Sequence, residues 1–399
     1  MNRQENPRPV ILTFVRYYLP GYKAGGPLRT VSNMVEALGA EFDFRIVTSD
    51  RDATDTAPYP DIVEGAWRKV GKARVLYLSP ARKGLLHIAS ILSGTPHDIL
   101  YLNSFFDPVF TQKPLIARRL GLAPTVRCVL APRGEFSEGA LALKSGKKKG
   151  FFLAARAGGL YRDLEWHASS AHEEADIRRT LGSLAGRIKV AFNLPGTTVR
   201  PPPFRSRNPG EPLRMVFLSR ISPKKNLDFA LEVLRHVRAP VRFDIYGTID
   251  DEAYWTKCQK IMATLPNNVE AAWLGSIPHA LVTETLAQYD LFFLATRGEN
   301  YGHAIFEALS VGTPVLIADT TPWRGLEEKG IGWDLPLKNP EDFAACIGKV
   351  FAFDVQEQAR RRRLIAAFAD ERRESEASVA QNFSLFAPCK RHVAEAGYH

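Results

Sequence analysis

Glu299 and Glu307 lie eight residues apart in the segment DLFFLATRGENYGHAIFEALSVGTPVLIAD, where two carboxylates can accept hydrogen bonds from the hydroxyls of one ligand. The segment reads as a strand over 291–295, a loop, a helix over 304–310, a stop at Gly312 and Pro314, and a second strand over 314–317. In an open parallel sheet, ligands sit beyond the carboxyl ends of the strands, and residues 296–303 occupy that place. A helix that opens near Tyr301, Gly302 and His303 presents unpaired backbone N–H groups and the positive end of its dipole, a setting suited to phosphate. Arg220 and Lys225 follow a strand expected over 213–219 and would neutralise such a group. Each residue also has a plainer reading. Glu307 suits the first turn of any helix, Glu299 could be a solvated loop charge, and the two cations could flank a helix started by Ser222 or Asn226.

The elements that must position these groups alternate along the chain. Strands are expected over 10–15, 44–48, 74–77, 99–103 and 125–131 in the first half, and over 213–219, 241–246, 271–274, 291–295 and 314–317 in the second. Helical stretches between several of them imply two parallel, doubly wound sheets. The first βα turn is rich in glycine, and Gly25 and Gly26 leave room for backbone N–H groups to approach an anion. It lacks both G-x-G-x-x-G and G-x-x-x-x-G-K-[ST], so neither a dinucleotide fingerprint nor a P-loop is supported. Turns at 245–248 and 275–278, holding Gly247 and Ile277, end two strands on the same rim and could hold a flat base. Loops 104–107 and 132–136, the latter with Arg133 and Glu135, open on the matching rim of the first half. Ser169 or Ser170 is an expected N-cap, with Glu173 at capping-box spacing. A proline-rich linker over 200–212 suggests domains 1–204 and 205–375, followed by a helical segment 376–399.

A chain of 399 residues with 45% hydrophobic content fits two cores better than one. No apolar run reaches the roughly 18–20 residues that span a bilayer, and no signal-like start is present, so a cytoplasmic protein is expected. Cys128, Cys258, Cys346 and Cys389 are isolated, which suggests reduced thiols and neither a zinc cluster nor a disulfide framework. The formal charge of +10 is compatible with nucleic acid, an anionic membrane surface or a phosphorylated substrate. Lys144, Lys147, Lys148 and Lys149 precede Phe151, Phe152 and Leu153, with Arg156 and Arg162 beyond. That stretch could rest on a bilayer, face a lipid diphosphate, or form an ordinary solvated helix face. The run 360–363 is expected to be a solvated face. No D-x-D flanked directly on both sides by apolar strands and no H-E-x-x-H occurs, so no metal holder is expected, and His167 with His172 reads as structural.

The Glu299 to Glu307 segment with its EALSVGTPV, together with Ser219-Arg220 through Lys225-Asn226, resembles the retaining GT-B glycosyltransferases of family 4, the glycosyl transferases group 1. The resemblance runs from the Gly25-Gly26 loop to Thr321-Pro322-Trp323. It implies two Rossmann-like domains facing a cleft, with a C-terminal helix crossing back to the first. It further implies that Glu299 contacts the donor sugar, Glu307 holds the ribose, Arg220 and Lys225 grip the diphosphate, and the turns at Gly247 and Ile277 surround the base. The implied reaction is metal-independent hexosyl transfer with retention, from a UDP or GDP sugar as donor substrate and without a further cofactor. Many members carry a His after the first-domain strand, whereas loop 132–136 has none, which leaves that contact to Arg133 or Glu135, with Glu135 as a candidate acceptor base. APRGEF followed by ALALKSGKKK resembles a subset in bacterial cell-surface polysaccharide assembly. That subset implies a saccharide or lipid-linked acceptor, in exopolysaccharide, O-antigen or capsule synthesis, and peripheral contact with the inner face of the cytoplasmic membrane. A non-transferring GT-B enzyme such as a nucleotide-sugar 2-epimerase is the enzymatic alternative. A basic nucleic-acid or membrane-surface module is the alternative from charge alone, against which the cations are scattered over both halves.

Overall fold

The computed structural model describes residues 8–137, 141, 152, 155, 158–196, 203–373 and 376–387. Most of the basic stretch (Lys144, Lys147, Lys148, Lys149, Phe151, Leu153 and Arg156), the start of the expected linker and Cys389 lie outside the described residues.

The first sheet contains β1 (Val10–Phe14), β2 (Asp43–Ser49), β3 (Arg68–Val70), β4 (Ala73–Leu78), β5 (Ile99–Asn103), β6 (Arg127–Ala131), β7 (Glu165–Ala168) and β8 (Arg187–Val190). Their order is β3-β4-β2-β1-β5-β6-β7-β8, and only the β3–β4 pair is antiparallel. The second contains β9 (Leu213–Leu218), β10 (Val241–Tyr246), β11 (Val269–Trp273), β12 (Leu291–Leu294), β13 (Val315–Ala318) and β14 (Gly332–Leu335), all parallel, in the order β11-β10-β9-β12-β13-β14. Central strands such as ILYLN (β5) and LFFL (β12) are buried along their whole length, because helices cover both faces of each sheet. Strand order reverses between β1 and β5 in the first sheet and between β9 and β12 in the second, which opens a crevice at each reversal.

Among the described residues the chain forms helices α1 (Gly26–Leu38), α2 (Leu85–Gly94), α3 (Lys113–Arg119) and α4 (Ala171–Leu181) in the first domain, and α5 (Leu227–Leu234), α6 (Glu252–Met262), α7 (Val282–Ala287), α8 (His303–Ser310) and α9 (Pro340–Phe351) in the second. Two more, α10 (Val355–Arg373) and α11 (Glu376–Phe386), follow. The last of these packs on the first domain: Leu385 and Phe386 are buried among Phe42, Phe44 and Tyr101. Asn382 Nδ2 donates to the Phe192 carbonyl at 2.7 Å, and Arg127 Nη2 donates to that of Leu385 at 2.5 Å.

Short strands β3, β7, β8 and β14 were not expected, since three or four residues of mixed polarity carry too little periodicity to declare a strand. In the run at 360–363, Arg360 and Arg361 pair with Glu357, but Arg362 departs from the expected solvated face. It is buried and donates to the carbonyls of Ala287 and Tyr289, tying α10 to the second domain. Cys128, Cys258 and Cys346 are buried free thiols.

Candidate active site

The loops after β9 and β12 flank the reversal of the second sheet, and they are laced together. Lys224 offers its carbonyl to the Arg297 N–H at 2.9 Å and to Thr296 Oγ1 at 3.2 Å. Asn226, in a left-handed conformation at φ 59°, donates Nδ2 to the Ala295 carbonyl at 2.9 Å and accepts from Arg297 Nε at 3.0 Å. This lacing brings the Lys225 ammonium against the Glu299 carboxylate, with the two side chains only 13% and 12% exposed. Arg220 pairs with Asp250 at 2.5 Å. Burial opposes ionisation of Glu299, but the charge and hydrogen bond of Lys225 outweigh it and hold the carboxyl below its ordinary range.

Gly302 caps α8 at φ 81°, a left-handed backbone that strains any residue with a Cβ, and a Cβ there would also press on the Ile305 side chain. Trp323 supports this turn from behind: its Nε1 donates to the Tyr301 carbonyl at 2.5 Å, its ring stacks on Phe306, and the Arg372 guanidinium lies over it. One turn into α8, Glu307 meets His279 at 3.0 Å. Burial would raise its pKa, yet the hydrogen bond and charge of His279, with the charge of Arg29, bring it below the usual range. Gly247 sits at φ 150° where a Cβ would fall 1.8 Å from the Ser219 carbonyl oxygen, so glycine alone lets the β9 and β10 loops approach.

On the first domain, Asp52 Oδ2 accepts from the N–H groups of Tyr22 and Lys23 at 2.6 and 3.0 Å, which shapes the loop ahead of Gly25 and Gly26. Gly25 caps α1 at φ 73°. Arg133 follows β6 at φ 57° and is held in a fork: Nη2 donates to Tyr101 Oη at 2.6 Å and Asn103 Oδ1 at 2.8 Å, and Nη1 to Asn193 Oδ1 at 3.1 Å. Behind it, the neutral His167 ring donates Nε2–H to the Ala191 carbonyl at 2.9 Å and accepts the Tyr101 hydroxyl at Nδ1 at 2.7 Å, and burial pushes its pKa down to about 3. Ser170 caps α4 as expected, but the reciprocal half of the box is replaced. The Glu173 carboxylate, 3% exposed, accepts instead from Gly134 N at 2.6 Å, Ser169 N at 2.8 Å and Ser169 Oγ at 2.7 Å. A carboxylate that has three better-placed donors in the 134 and 169 turns leaves its own cap unbridged.

The two crevices face one another across a cavity of about 390 Å³. Glu299, Arg220, Lys225, Glu135, Gly25, Gly26, Gly247, Ile277, Tyr301, Gly302, His303 and Glu307 all line it. Among the described residues, two hydrogen bonds cross between the domains at its edge, Thr30 Oγ1 with His303 Nε2 at 2.9 Å and Ser169 Oγ with the Asn300 side-chain amide at 2.8 Å. His303 therefore uses its ring as well as its place at the helix start, and burial lowers its pKa to about 4. Glu135 is spoken for: it accepts from Ser104 Oγ at 2.7 Å and from the Phe105 and Phe106 N–H groups at 2.5 and 3.1 Å. Burial raises its pKa against those bonds, and its visible work is to brace the 104–106 turn. Lys224 also lines the cavity, with its carbonyl held by the Arg297 N–H and the Thr296 hydroxyl. Spacing also missed Arg29, Thr30, Asn193 and His279, which lie on elements far apart in sequence. Among the described residues no group of three or more His, Cys, Asp or Glu could hold a metal ion, and no helix is long and apolar enough to cross a membrane.

Two facing Rossmann-like domains with a C-terminal helix returning to the first define the GT-B fold. Residues 202–367 match the family described as glycosyl transferases group 1. Over 113 residues the chain is 26% identical to the UDP-N-acetylglucosamine–peptide N-acetylglucosaminyltransferase GtfA subunit of Streptococcus gordonii, a match spanning 28% of this chain and only 21% of that relative. Sucrose-phosphate synthase from Thermosynechococcus elongatus shares the fold with a TM-score of 0.69 at 16% identity, covering 95% of this chain and 98% of that one. Anabaena Alr3699/HepE, solved in complex with UDP and glucose, does so with a TM-score of 0.65 at 17% identity, covering 95% and 98%.

Proposed function

We propose that the chain is a retaining, metal-independent glycosyltransferase. It takes a hexosyl group from a UDP or GDP sugar seated on the second domain and passes it to a saccharide acceptor at the first. The observation that carries this reading is the convergence of Arg220, Lys225, Glu299 and Glu307 with the opening of α8 on one cavity between the domains. The α8 N-terminus and the two cations suit a diphosphate, and Glu307 suits ribose hydroxyls. Glu299, already charged and held by Lys225, suits the hydroxyls of the sugar. Departure of the diphosphate leaves negative charge on its outer phosphate, which fixed cations at the switch point stabilise without a metal ion. With Glu135 committed to its own turn, the departing phosphate is the acceptor of the hydroxyl proton in this reading.

The finer reading places the acceptor on a lipid carrier in cell-surface polysaccharide assembly, with the protein working from the cytoplasm at the inner membrane face. It rests on the likeness of the APRGEF segment and its basic continuation. The test is a panel of UDP and GDP sugars incubated with the purified protein, with and without saccharide acceptors. Release of nucleotide with transfer or slow donor hydrolysis is expected. Interconversion of the donor sugar without transfer would point to the epimerase, and salt-sensitive nucleic-acid binding without either reaction would overturn the reading.

A further inference from the structure

Most cations that line the cavity are matched. Lys23 meets Asp55 at 2.5 Å, Arg220 meets Asp250, Lys225 meets Glu299, and Arg133 is held by Asn103, Asn193 and Tyr101. Among the described residues, Arg29 and Lys224 line the cavity with no such partner. Arg29 lies toward Glu307, at the nucleoside end of the proposed site. Lys224 stands at the other end, among Lys225, Arg220, Glu299 and Glu135. Its backbone is fixed by Thr296 and Arg297, and its Cε passes 4.0 Å from where a Cβ on Gly298 would sit, so the stem runs beside the Glu299 loop. Burial and the neighbouring Lys225 lower the pKa of this ammonium, so the site holds it at a cost that an added anion would relieve.

We propose that Lys224 takes the charge that the leaving diphosphate gains, as a third phosphate cation beside Arg220 and Lys225. The assignment rests on the proposed sugar transfer. In that reaction the bond from the anomeric carbon to the outer phosphate oxygen breaks with its electron pair on oxygen, and the acceptor oxygen forms the new bond. The acceptor proton goes to the departing phosphate or to solvent. The two motif cations already answer to Asp250 and Glu299, whereas Lys224 can respond wholly to the new charge.

The experiment compares calorimetric affinities for UDP and GDP with those for intact UDP-glucose and GDP-mannose, in the wild type, Lys224→Met and Lys224→Arg. Free nucleoside diphosphate carries the extra charge and the intact sugar does not. Lys224→Met is expected to weaken the free diphosphate by roughly tenfold or more and the intact donor by far less, while Lys224→Arg retains most of the selectivity. Equal losses for both ligands, or no loss, overturn the assignment. A wild type that binds none of the nucleotides sinks the functional reading itself, a result distinct from equal losses in the variant.

Discussion

Replacing Glu307 with alanine tests the centre of the functional reading. A hydroxyl hydrogen bond to a carboxylate is worth about 1.5–3 kcal/mol, so losing it should raise the donor Kd by roughly 10- to 150-fold. A donor present at about 100 times its Kd stabilises the wild type by about 2.7 kcal/mol. If the variant Kd rises about 100-fold, the same concentration contributes only about 0.4 kcal/mol. At about 2–4 °C per kcal/mol for a domain of this size, a ligand shift of about 5–10 °C shrinks to about 1 °C. The ligand-free protein should change little, because the surface-facing His279 is the hydrogen-bond partner given up and such pairs contribute about 0–1 kcal/mol. The assay is thermal unfolding with UDP-glucose and GDP-mannose, using whichever shifts the wild type. A variant that keeps the full ligand shift, with an unaltered ligand-free Tm, would refute the ribose role of Glu307.

Gly247→Ala should destabilise the second domain by about 2 kcal/mol or more, seen as a lower Tm, because the new Cβ would meet the Ser219 carbonyl at 1.8 Å. Glu173→Ala should cost about 3 kcal/mol and lower transfer activity from outside the cavity lining, since Gly134 and Ser169 lose the carboxylate that sets their turns. Stability should fall as pH drops from about 6.5 toward 4. His303 and His167, with folded pKa values of about 4 and about 3, stay neutral there while the unfolded chain takes up protons, so folding is opposed. His303→Gln should flatten that slope in pH-dependent denaturant titrations, and an unchanged slope would count against a neutral buried ring. Below about pH 4.5 a further loss is expected from Glu299 and Glu307, whose depressed pKa values contribute stability above the ordinary carboxylate range and lose it as pH falls through the folded values.

Much of the site was legible because its signals are local. An apolar run such as 291–294 followed by Gly302 and a helical spacing declares strand, loop and helix without reference to the rest of the chain, and a parallel sheet then puts the loop on the ligand rim. Glu299, Glu307, Arg220 and Lys225 were found that way, and all line the cavity. The short strands β7 and β8 escaped because four residues carry no usable period. Glu173 was legible as a capping residue but not as the brace of Gly134, a partner 39 positions away.

By itself the sequence determined which residues could do chemistry and on which kind of loop each must sit, since residue type and period act over a few positions. Tertiary structure alone decided how those charges are matched. It set Lys225 on Glu299 across 74 residues, carried Thr30 of the first domain to His303 of the second across 273, and brought Lys224 to the cavity with its carbonyl on the Arg297 N–H and the Thr296 hydroxyl. The physical reason is strand order. The β9 and β12 loops become neighbours only when the sheet reverses between them, and no spacing within either loop encodes that adjacency.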